Sequence, residues 1–73
     1  MTNKEEVELL WSKLNAYKET AEQHMFPIIA SFDIFLVPAY NDLQKNWSDK
    51  HAEIFIRSLK AVVFPKLGIE LEE

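Results

Sequence analysis

The residues that usually carry chemistry are few in this chain, and they stand apart. His24 and His51 are the two histidines, and there is no cysteine to serve as a nucleophile or a soft metal ligand. A helical zinc site needs ligands on one face, at i and i+4. His51 and Glu53 are two residues apart, and His24 has no second ligand at that spacing. Ser12, Ser31, Ser48 and Ser58 lack any local signature of an activated hydroxyl. With Gly68 as the single glycine, a glycine-rich phosphate loop has no material to form from. The expectation is a non-enzymatic protein with no catalytic residues, no metal site and no cofactor.

Asp33 is different in kind, because it lies in the most apolar stretch, Met25 to Tyr40. A buried carboxylate is costly unless paired. One reading is an ion pair, with Arg57 or Lys60, that fixes the register of a partner. The other is a carboxylate at the edge of the apolar face, reaching water. A lone aspartate is too little for general acid–base work.

Three helices must position these residues. The first is expected from about Asn3 to His24, opened by Thr2 with Glu5 or Asn3 with Glu6, an acceptor followed three residues later by glutamate. Val7, Leu10, Trp11, Leu14, Tyr17, Ala21 and Met25 recur every three or four residues and make one stripe, with Leu9 outside it. The second helix is expected over 27–45, opened by Pro27, whose missing N–H costs nothing in a first turn. Ile28, Phe32, Phe35, Leu36, Ala39, Tyr40 and Leu43 share one side, while Ile34 and Val37 point the other way. An element apolar on opposite sides should be central, and Pro38 should kink or break it near Val37. The third is expected over 48–64, capped by Ser48, with Ala52, Phe55, Ile56, Leu59, Val62 and Val63 as its stripe and Ile54 opposite. Pro65 should end it by Phe64. A tail, 65–73, holds Leu67, Ile69 and Leu71 and either folds back or docks on a partner. The fold class is all-α: one domain over 1–73, a small antiparallel three-helix bundle with the second helix in the middle, complete alone or completed by dimerisation.

Composition bounds the function. Seventy-three residues without cysteine give a marginal core, and such chains often gain stability by association. The apolar fraction of 48% argues against disorder and for surface meant for a partner. A net charge of −4, with scattered basic residues, weighs against nucleic acid. The alternative is a helix–turn–helix-like module, with Lys50, Arg57 and Lys60 facing phosphates against the opposition of Asp49 and Glu53. Met25–Tyr40 is about 16 residues, short of the roughly 20 a bilayer takes, so a membrane-associated immunity-type helical protein is a further reading and a buried helix the preferred one. The acidic, polar start carries no signal peptide, and a cytoplasmic location is expected.

These observations favour a protein–protein interaction module, a homodimer, that regulates or inhibits a larger protein by occupying its surface. The expected contact residues are Trp47, Leu9, Ile34, Val37, Ile54, Tyr40, Asp33 and Arg57. Trp47, beside a helix start, is the first expected anchor, since tryptophan and tyrosine dominate interface energetics. In its size and its Lys-, Asn- and Glu-rich style the chain resembles small accessory proteins of bacteriophages and mobile elements, such as inhibitors of host defence. That resemblance is one of composition, not of a motif.

Overall fold

A computed structural model describes residues 1–70, and every regular element in them is helical. Helix α1 spans Asn3–Thr20, a short 3₁₀ turn Gln23–Met25, α2 Phe26–Lys45, α3 Asp49–Ser58, a π-turn Leu59–Val63 and α4 Phe64–Leu67. Leu71 of the expected tail lies outside the described residues.

Thr2 opens α1. Its hydroxyl accepts from the Glu5 N–H at 3.2 Å, and its own N–H donates to the Glu5 carboxylate at 3.1 Å. These bonds satisfy two otherwise orphaned donors. The backbone bond first, then the Thr2 hydroxyl, hold the Glu5 carboxyl below its ordinary range. Helix α1 stops at Thr20, not at His24, because Ala21 and Glu22 are extended (ψ 143° and 151°) and turn the chain into α2. Ser48 caps α3 as expected, accepting from the His51 N–H.

Neither proline breaks the helical stretch it lies in. Helix α2 runs unbroken through Pro38. The carbonyl that Pro38 leaves without a donor belongs to Ile34, which is 75% exposed, so water can satisfy it. Pro65 does not end the third helical stretch at Phe64 either. The backbone widens into a π-turn in which the Phe64 N–H donates to the Leu59 carbonyl, and helix continues to Leu67. A regular α-helix would turn Phe64 about 100° further round, towards the solvent side near Lys60. The extra residue of the π-turn brings Phe64 into the core and leaves Val62 outside. Gly68, at φ 78°, closes the stretch in the left-handed conformation that glycine adopts freely.

The core draws on every helix: Val7, Leu10 and Leu14 from α1, Ile29, Leu36 and Leu43 from α2, and Phe55, Leu59, Phe64 and Leu67 from α3 onward. Trp11, Tyr40 and Phe55 bind the three together at one level. The Trp11 and Tyr40 rings stack at 4.4 Å and 8°, and Phe55 tilts against both. The expectation of a central second helix is corrected, for α3 is the helix that packs closely on both α1 and α2. The apolar surface of α2 is wider than α1 and α3 cover, and both of its flanks stay open.

Candidate interaction surfaces

Each flank of α2 presents a surface. On the outer flank, Phe26, Ala30, Ile34 and Val37 follow one another at three- and four-residue spacing. Phe26 is 51% exposed, Ile34 75% and Val37 38%. Between Phe26 and Asn41 the one charged residue of α2 is Asp33, and Lys18 Nζ neutralises it at 2.7 Å. Such a face has little to hold it in water.

On the other flank, α2 and α3 enclose an open groove of about 440 Å³. Leu36, Leu43, Phe55 and Val63 form its buried floor. Phe35, Ile54 and Val62 stand on its rims, each more than half exposed. Asp42, Asn46, His51 and Ser58 add polar groups to the lining. The π-turn supplies Val62 and Val63, and such turns recur at functional sites because they re-aim side chains.

The expected contact residues separate onto different surfaces. Ile34 and Val37 share the outer flank of α2, and Ile54 lies in the groove. Leu9 is exposed by itself on the far side of α1 from the core stripe. Arg57 is exposed on the α1 side of α3, in a shallow polar cleft with Asn3, Glu6 and Lys60. Asp33 pairs with Lys18, not with Arg57 or Lys60, and Lys60 pairs with Glu6. Of the three cations of the helix–turn–helix reading, Lys60 is thus held by a carboxylate. Trp47 is half-buried against the core, its Nε1–H donating to Asp49 at 3.0 Å, so it is a corner post of the α2–α3 connection and not an exposed anchor.

Ile28, Phe35 and Val62 belong to the expected stripes yet are exposed, and so is Phe26. The signal for Phe35 is the width of its stripe. From Phe35 to Tyr40 it covers about 140° of the helix, more than the roughly 100° one packed face needs. Among the described residues, no three His, Asp or Glu side chains stand together as metal ligands would, and no helix is long and apolar enough to cross a membrane.

Tyr40 is half-buried, and its hydroxyl donates to the Glu8 carboxylate. That hydrogen bond first, then burial and the negative charge, push the phenol up to about 12. A free phenol titrates near 10. The raised value means that the contribution of Tyr40 to stability is complete below pH ~10 and is lost as pH rises through ~12. Absorbance titration at the phenolate band should show a late step that Tyr40→Phe removes and Glu8→Gln moves towards neutrality. A Glu8→Gln curve identical to the parent would contradict the assignment.

No protein-family model, curated protein or solved structure matches the chain.

Proposed function

We propose that this chain is a small, non-enzymatic protein–protein interaction module. In this reading it is a three-helix bundle, working as a homodimer in the cytoplasm. It regulates or inhibits a larger protein by occupying one of its surfaces, as accessory proteins of phages and mobile elements do to host systems. The supporting observation is the outer flank of α2, where Phe26, Ile34 and Val37 stay in water and the one charge beside them, Asp33, is paired with Lys18. Exposing such side chains together costs solubility, and apolar patches of this kind mark contact sites in soluble domains. The partner surface that fits is apolar at its centre and basic at its rim. Phe26, Ile34 and Val37 supply the anchors, and a chain of net charge −4 favours a rim of opposite sign.

The immobilised chain is expected to retain one larger protein, in fixed ratio, from an extract of the cell in which it acts. Retention should fall as salt rises. Ile34→Glu should weaken it at least tenfold, and Asn15→Glu, on the exposed side of α1, should not. Equal retention by Ile34→Glu and the parent, or no stoichiometric partner, removes the proposal.

A further inference from the structure

We infer that the groove between α2 and α3 is the dimer interface, covered by the same face of a second copy. This rests on the interaction-module reading and assigns one occupant to a surface that reading leaves open.

A two-fold contact uses one patch on both copies, so the patch must complement itself. This face has both halves of such a contact. Phe35, Ile54 and Val62 project from its rims, and an apolar channel of about 440 Å³ lies between them. With two copies face to face, the ridge of each α2 enters the channel of the other, and two pairs of helices form a four-helix layer.

Charge permits the same face. Two copies at −4 each repel over most approaches. The groove lining has Asp42 as its one carboxylate and has no lysine or arginine. It is therefore a face on which a second copy meets little like charge. The outer flank of α2 is left free for a larger partner.

Size points the same way. Chains of this size without disulfides or a structural metal commonly gain the missing burial by association. Here cysteine is absent, and the described residues hold no ligand cluster.

Sedimentation equilibrium at micromolar concentration and physiological salt tests the inference. The expected mass is twice that of the chain. Phe35→Glu and Ile54→Glu should each raise the dissociation constant at least a hundredfold and leave the helical circular dichroism intact, because both side chains are more than half exposed in the single copy. Ile34→Glu, on the other flank, should remain dimeric. A monomeric parent chain overturns the inference, as does a dimer that survives both groove substitutions. If the parent is monomeric yet still retains a larger protein through Ile34, the dimer fails and the interaction module stands.

Discussion

Phe64→Ala is expected to leave most of the chain unfolded at 25 °C. Phe64 is fully buried and is the largest of the completely enclosed side chains. Truncating such a phenylalanine costs about 3–5 kcal/mol. A domain of this length has about 4–11 kcal/mol in total; a small core without disulfides belongs at the lower end, where the loss takes most or all of it. Its neighbour gives the contrast. Val62 is 55% exposed, and Val62→Ala should change stability by no more than about 0.5 kcal/mol in the single copy. Urea unfolding followed by circular dichroism reads both, with Phe35→Glu as background so that dimer burial does not contribute. The ranking follows from the π-turn. If Val62→Ala proves the costlier of the two, the third helix keeps ordinary α register through Leu59–Val63.

Trp11→Ala is expected to cost about 3 kcal/mol, and Trp47→Ala distinctly less. Trp11 loses the stacked Tyr40 ring, the tilted Phe55 ring and the Lys18 ammonium 5.3 Å from its centre. Aromatic pairs add about 0.5–1.5 kcal/mol beyond area burial, and removal of a packed tryptophan costs about 3–5 kcal/mol. The near-ultraviolet dichroism of the folded protein should weaken in the Trp11 variant, because the stacked Trp11–Tyr40 pair is lost. Trp47 lies at the rim of the core with one hydrogen bond and a Lys4 ammonium at 6.0 Å, and about 1 kcal/mol is expected from its loss. The reverse order would make Trp47 the organising tryptophan and leave the stack at Trp11 without energetic weight.

Helix caps and stripes were legible in the sequence because they are local. Thr2 with Glu5 and Ser48 announce their helices within four residues. The spacing of Val7, Leu10 and Leu14 fixes the buried face of α1 without reference to anything else. What escaped depends on relations between helices. Pro38 signals a break only if the carbonyl it orphans is buried, and nothing local says that Ile34 faces water. Phe64 follows the wrong phase for the core in a regular helix, and only the demand of a neighbouring core for a large side chain explains the π-turn that rotates it inward. The second apolar side of α2 was readable in Ile34 and Val37, but as the mark of a helix buried on both sides. The division of the open surface into an outer flank, with Ile34 and Val37, and a groove, with Phe35 and Ile54, required knowing where α3 lies. Trp47 shows the same limit from the other side, since residue type suggested an anchor and the α2–α3 corner claimed it for packing.

The thermal midpoint as a function of chain concentration tests most directly whether the α2–α3 face works as an interface. Association that occurs only in the folded state stabilises it by mass action. Over about a hundredfold range of concentration, the parent chain should therefore melt at progressively higher temperature, and Phe35→Glu at one temperature throughout. A midpoint that stays constant for the parent chain, or that climbs equally for both, contradicts the account.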